Sequence, residues 1–304
     1  MVTGGAGFIG SHVVDALIGA GHDVVVVDDL STGKEENVNP SAAFYQVDIR
    51  SEEMSGIFDY QRPHIVYHHA AQMDVRRAVS EPDYDASVNI LGGLNILENG
   101  RRTGLQKLIF ASTGGAVYGE PTELPVVESH PIAPLSPYGL TKFTFEQYLG
   151  LYRRLYEFDY TVLRYANVYG PRQDPHGEAG VVAIFTGQLL RGEGPRIFGD
   201  GNKTRDYVYV SDVVAANMLV LEDGQGQTFN VGSGEETSDL QIFETVRDAV
   251  GAHAEPQYAN PRPGEIDRIA LDSTRFREQL GWEPAISLED GIANVVRWHR
   301  QRLG

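Results

Sequence analysis

The chain has 304 residues and no cysteine, with 25 Lys+Arg against 42 Asp+Glu, a formal net charge of −17. That length suits one large α/β unit or two intimate domains with an ample core. Without cysteine there is no disulfide framework, thiolate metal site or cysteine nucleophile. The acidic balance argues against nonspecific nucleic-acid binding.

No run approaches the ~18 apolar residues of a membrane span, and no charged-then-apolar leader opens the chain, so a soluble, cytoplasmic protein is expected. The lysines are Lys34, Lys107, Lys142 and Lys203, and every other basic residue is Arg. Acidity with scarce lysine fits a hydrated surface for a salty cytoplasm, or simply Arg-rich codon usage. At 22% the charged fraction is ordinary, which favours the second reading.

In chain order, apolar strand patterns stand at 24–27, 65–67, 108–110 and 160–165. Amphipathic helical patterns lie between them, as at 10–20 and 87–103. This alternation predicts an α/β fold, a doubly wound parallel sheet with helices on both faces. Residues 171–180 and 192–204 are rich in Gly, Pro and charge and read as loops. Short strand patterns return at 207–210 and 228–231, and helical ones near 239–250 and 288–302. The expected organisation is a dinucleotide-binding domain over 1–170, revisited at about 207–232, and a smaller α/β C-terminal lobe over 171–304.

Gly4, Gly7 and Gly10 open the first helix as G-x-x-G-x-x-G. Such glycines let the backbone approach a pyrophosphate at a helix N-terminus. Asp28 closes the next strand, where a carboxylate can accept from both ribose hydroxyls and repels a 2′-phosphate. NAD is therefore expected rather than NADP. Only Met1-Val2-Thr3 precede the loop, so the first strand reads as cut short, through a late start codon or a shortened chain.

Tyr138 and Lys142 stand at i, i+4 on a predicted helix over 138–157 and share a face. A neighbouring ammonium and a cationic nicotinamide both favour a phenolate. Ser112 and Thr113 end an apolar run and add hydroxyls. Parallel sheets gather ligands at the carboxyl ends of their strands, where all these residues would meet.

In these motifs the chain resembles the extended short-chain dehydrogenase/reductases of the nucleotide-sugar epimerase/dehydratase family. The likeness rests on TGGAGFIGSH (3–12), DDLSTGKEENV (28–38), HHAAQ (68–72), STGGAVYG (112–119), PYGLTK (137–142), RYANVYGPR (164–172), RDYVYVSD (205–212), RPGE (262–265) and LGWEP (280–284). Within the family it is most similar to UDP-glucose 4-epimerases. The resemblance implies that Gly4, Gly7, Phe8, Ile9 and Gly10 cradle the NAD pyrophosphate and Asp28 the adenosine ribose. Asp48 and Ile49 would flank the adenine. Ala70, Ala71 and Gln72 would line the way to the nicotinamide, supported by Asn89. Lys142 would hold the nicotinamide ribose and Tyr165 help to seat the ring. Thr113 would be the catalytic hydroxyl with Ser112 as fallback, and one extra Gly before Val117 leaves that choice open.

For the UDP-sugar substrate, the resemblance implies Asn167 and the backbone of Val181 and Val182 near the phosphates, and Ile197 and Phe198 against the uracil. Arg205 and Arg262 would pair with the diphosphate and Glu265 take the ribose. Tyr138 would move the proton of the sugar 4-hydroxyl during C4 epimerisation through a 4-keto intermediate.

The resembling 4,6-dehydratases carry Asp-Glu after the catalytic Thr, whereas Gly114-Gly115 stand here, so elimination of water is disfavoured. Ile269 matches the sugar-pocket gate and leaves UDP-N-acetylhexosamine or UDP-uronate epimerisation, or another sugar-nucleotide oxidoreduction, as alternatives. A non-catalytic NAD-binding regulator is disfavoured because Tyr138 and Lys142 are both present. His64, His68 and His69 lack partners at metal-ligand spacing and read as packing or pocket wall; no metal is expected. Trp282 and Trp298 read as packing residues of the C-terminal lobe. The catalytic helix is apolar along 145, 149, 152 and 156 and again along 148, 151 and 155. Two such faces suggest a partner beyond the sheet, or a C-terminal lobe that covers the second stripe. The resembling enzymes pair such helices in a dimer, so the resemblance implies a homodimer.

Overall fold

The computed structural model describes residues 1–304 except 157, 176–179, 262–265, 304 and the side chain of 303. The chain forms two compact units. The first comprises residues 1–117, 134–164 and 214–229, and the second 118–133, 165–213 and 230–304.

The centre of the first unit is a sheet of β1 (Val2–Thr3), β2 (Val25–Asp28), β3 (Ala43–Gln46), β4 (Ile65–His68), β5 (Lys107–Thr113), β6 (Asp159–Tyr165) and the strand Gln227–Val231. Their spatial order is β3-β2-β1-β4-β5-β6, with 227–231 outermost. β1 pairs parallel with β2 and β4, β2 with β3, and β4 with β5. The order reverses at β1, which is where an open α/β sheet forms its crevice. The strand interiors are β-branched and apolar because both faces are covered. Val27, Val66, Leu108, Phe110 and Val162 belong to one core with Phe58, Ile96, Phe145 and Leu149 from the helices. Among the described residues no helix is long and apolar enough to cross a membrane.

The helices that matter for the site are α1 (Phe8–Gly19), α2 (Glu53–Gln61), α3 (Val75–Ser80), α4 (Pro82–Ala86), α5 (Gly93–Thr103), α6 (Gly114–Val117) and α7 (Pro137–Tyr156). The pattern over 87–103 does not form one regular helix. Its first turn, Ser87–Gly92, is π-helical and continues into α5. Glycine permits this crowding. A Cβ on Gly92 would meet Ile49 at 2.7 Å, and one on Gly93 would meet Phe145 at 2.4 Å.

The second unit is built from short strand pairs. Asn167–Tyr169 runs parallel to Tyr207–Tyr209, Arg196–Phe198 parallel to Gln257–Ala259, and Thr204–Arg205 antiparallel to Thr237–Ser238. The expectation of loop throughout 192–204 is thus corrected, since strands occupy 196–198 and begin at 204. Runs of two or three residues are too short to show alternation. Helices Val181–Leu190, Asp239–Val250 and Leu288–Leu303 pack together. Buried polar groups stitch the rest. The Asp206 carboxylate accepts from the backbone of Ser233, Gly234 and Leu271 and from the Ser233 hydroxyl. Trp282 stacks on Phe276 and donates to the Asp212 carbonyl, 2.9 Å away. Trp298 lies half-buried on the last helix.

Candidate active site

The glycine loop leaves β1 with Gly4 at φ +70°. A Cβ on Gly4 would lie 2.5 Å from the Ala70 nitrogen, and one on Gly10 would lie 2.2 Å from the Gly4 carbonyl oxygen. Gly7 caps α1 in extended conformation without a side-chain hydrogen bond, and no acidic residue stands in the first turn. The positive end of the helix around Phe8, Ile9 and Gly10 is therefore uncompensated within the helix. Asp28 ends β2, buried, and accepts from the N–H groups of Ala6 and Leu30 at 2.9 Å each. A carboxylate has about four acceptor positions, so capacity for a hydroxyl remains beside these N–H groups and that of Gly7. Burial raises its carboxyl above the ordinary value, against the lowering by those N–H groups.

Next to this loop, Ala70 and Ala71 follow β4 half-buried, and the Ala70 N–H donates to the Thr3 carbonyl at 3.1 Å. Asp48 grips Arg50, whose side-chain hydrogen bond lowers the carboxyl below its usual range. Ile49 is buried. His68 stacks on Phe110, with Nδ1 2.7 Å from the Thr3 hydroxyl, so it is a packing residue. Burial lowers His68 well below its ordinary value and brings His69 down to about 3, so both rings stay neutral at physiological pH.

Tyr138 and Lys142 lie one turn apart on α7. Burial pushes the Tyr138 phenol up, the Asp85 charge pushes the same way, and a hydrogen bond from Thr113 opposes both. Thr113 thus meets Tyr138. Ser112 is engaged elsewhere, donating at 2.5 Å to Glu146. Lys142 is buried, with its ammonium 4.3 Å from the centre of the Phe110 ring. Desolvation lowers it to about 7, against the charges of Glu146 and Asp85. Asn89 sits in the π turn, accepts from the Gln72 N–H and donates to the Gln72 carbonyl.

The second unit carries the remaining predicted residues. Asn167 begins its strand and donates its N–H to the Asp206 carbonyl at 2.8 Å. Val181 and Val182 open a helix, Val182 fully buried. Ile197 is buried and Phe198 half-buried. Arg205 donates one nitrogen to the Thr204 and Asp267 carbonyls. Tyr165 is buried at the end of β6, and Ile269 is buried. Arg262 and Glu265 lie outside the described residues.

Sequence reasoning missed two buried partners of the α7 pair, Asp85 and Glu146. Asp85 sits among Glu81 and Asp83 and reads as a solvated helix start. Glu146 stands at i+4 from Lys142 and reads as a surface ion pair.

Residues 1–232 match the NAD dependent epimerase/dehydratase family. The chain belongs to this family. A UDP-glucose 4-epimerase of Mycolicibacterium smegmatis is 46% identical over 99% of this chain and 98% of its own. The solved structure of a UDP-glucose 4-epimerase with UDP-glucose from Thermotoga maritima is 52% identical, with TM-score 0.98 over 100% of this chain and 99% of that one. A Thermus thermophilus UDP-glucose 4-epimerase complex with NAD is 45% identical, with TM-score 0.95 and 98% of both chains covered.

The epimerase/dehydratase-family residues present here fit NAD. The loop excludes side chains, the helix end attracts an anion, Asp28 offers acceptors, and Lys142 presents a buried amine.

Proposed function

We propose that the protein interconverts UDP-galactose and UDP-glucose by NAD-dependent epimerisation at C4 of the hexose. The observation that carries this reading is Thr113 hydrogen-bonded to Tyr138, with Lys142 one turn on, in a chain 52% identical to a UDP-glucose 4-epimerase. Gly4, Gly7, Gly10 and Asp28 hold the cofactor's diphosphate and ribose, and Lys142 its second ribose. When bound, NAD supplies the acceptor and donor of hydride for C4 together with a positive ring charge. Tyr138 takes the proton of the 4-hydroxyl as the hydride leaves C4 and returns it when the hydride comes back. Thr113 favours the deprotonated phenol by its hydrogen bond. Burial alone opposes that phenolate, so Tyr138 becomes a base only with positive charge beside it. The resulting 4-keto sugar turns about its bond to the diphosphate.

Incubation with UDP-galactose should yield UDP-glucose. Tyr138→Phe should slow this by about 10³-fold, in the range of general acid–base contributions, while retaining NAD. An unchanged rate rejects the base, and no turnover of any UDP-sugar rejects the reaction. We further infer a cytoplasmic homodimer. Leu151 and Leu155 of the second apolar stripe of α7 are exposed, and so are Leu140 and Tyr156 on the same helix. Light scattering should give twice the 33.4 kDa chain mass, and Leu155→Glu should give one.

A further inference from the structure

Two carboxylates inside the first unit act on Lys142, and their surroundings differ. Glu146 is already paired. Arg164 donates to both its oxygens, at 3.1 and 2.6 Å, and Ser112 adds a third hydrogen bond. Asp85 is fully buried, and the three side chains that donate to it are all neutral. Gln72 Nε2 and Asn89 Nδ2 donate to Oδ1 at 2.9 and 3.1 Å, and the Thr141 hydroxyl donates to Oδ2 at 2.7 Å. A buried carboxylate among neutral donors keeps an uncompensated charge, which is costly unless a cation balances it. Thr141 also reaches the Tyr138 carbonyl, 3.0 Å away, so Asp85 grips α7 between Tyr138 and Lys142. The π turn contributes to the arrangement by aiming Asn89 at both Gln72 and Asp85.

We propose that Asp85 is a positioning residue of the active site, the counter-charge that keeps Lys142 cationic and the anchor that holds the turn of α7 carrying Tyr138 and Lys142. The inference rests on reading that pair as the catalytic one.

The other groups around the pair do not replace Asp85. His68 and His69 on and after β4 are neutral. Thr113 on β5 is uncharged, and Glu146 is balanced by Arg164 from β6. On α3, Arg76 and Arg77 are exposed, and Arg77 pairs with Glu81. The field of Asp85 raises both Tyr138 and Lys142. Asp85→Asn therefore moves both downward. The change is well suited to the site. An amide oxygen still accepts from Gln72 and Asn89, while its NH₂ donates to Thr141, whose hydroxyl keeps the Tyr138 carbonyl.

The test labels the lysine side chains with 13C and 15N and follows their titration by NMR in the cofactor-bearing protein, with Lys142→Arg assigning the resonance. Asp85→Asn should lower the Lys142 midpoint measurably, as expected for losing an opposite charge that acts on it. Thr141→Val keeps the charge and should leave the midpoint in place. With UDP-galactose, both limbs of the Asp85→Asn pH–rate profile should move to lower pH. An unmoved midpoint overturns the proposal. The lysine titration reads Asp85 whether or not a UDP-sugar turns over, so failure of the proposed reaction is seen separately. If Asp85→Asn is too unstable for NMR, thermal unfolding of Asp85→Asn/Lys142→Met decides. The pair reading expects the double variant to be more stable than Asp85→Asn, and a double variant that is no more stable overturns it.

Discussion

The two units hold themselves together by different means. In the first, seven strands form one sheet, and Val27, Val66, Leu108, Phe110 and Val162 form one apolar core with the helices. In the second, strands of two or three residues pair off, and carboxylates tie segments far apart in sequence. Asp206 alone binds the 233–234 turn and Leu271, and Asp212 accepts from the Ile286 N–H. The first arrangement tolerates loss of one contact because the burial is shared. The second also buries apolar residues between its helices, but its short strands and connecting segments are tied by single buried polar side chains, each expensive to leave unpaired.

The sharpest way to break this contrast is Asp206→Ala, which strands three backbone N–H groups and a hydroxyl. A loss of about 3 kcal/mol or more in unfolding free energy is expected, with Asp206→Asn losing less. Denaturant unfolding measures both. A loss under about 1 kcal/mol, the net worth of one ordinary hydrogen bond, would mean that the second unit does not depend on its polar stitches.

A smaller effect separates the units by pH. His68 and His69 in the first unit are buried neutral, with folded values below 6.5, His69 at about 3. Between about pH 6.5 and 3 the unfolded histidines bind protons that the folded ones refuse, so stability falls as pH falls through that window. Asp206 and Asp212 in the second unit are raised by burial, so acidification does not withdraw stability through them. Among the described histidines of that unit, the half-buried His299 is lowered by desolvation. Both tryptophans, Trp282 and Trp298, lie in the second unit. In an acid titration, cofactor release and loss of helical signal should begin at higher pH than the change in tryptophan fluorescence. Coincident transitions would refute the separation.

Legibility in the sequence follows the same division. The buried strands β2, β4, β5 and β6 show as apolar runs because both their faces are covered. The edge strand β3, Ala43–Gln46, does not, since its residues are half-buried or exposed. The strands at 196–198 and 204–205 were hidden for want of length. At the site, Gly4, Gly10, Asp28, Tyr138 and Lys142 were legible because backbone approach and one-turn spacing demand particular residues at particular intervals. The choice between Ser112 and Thr113 was not, because neighbouring hydroxyls differ only in where they point. The structure turns Thr113 to Tyr138 and Ser112 to Glu146. Asp85 was hidden by its acidic neighbours, although it stands one turn before Asn89.

The burial of lysine has a practical consequence. Lys107 is enclosed, its ammonium donating to the Val220 and Asp223 carbonyls, and Lys142 lies within the site. Of the four lysines only Lys34 is exposed, and Lys203 is half-buried. Reagents that acylate or cross-link lysine side chains therefore meet very few targets on the folded chain. Both sites used most readily lie away from Tyr138 in sequence, so attachment to a support through Lys34 or Lys203 leaves the catalytic helix unmodified. Acylation of Lys142 then becomes a chemical report of opening: its rate measures how often the cofactor crevice is exposed to solvent.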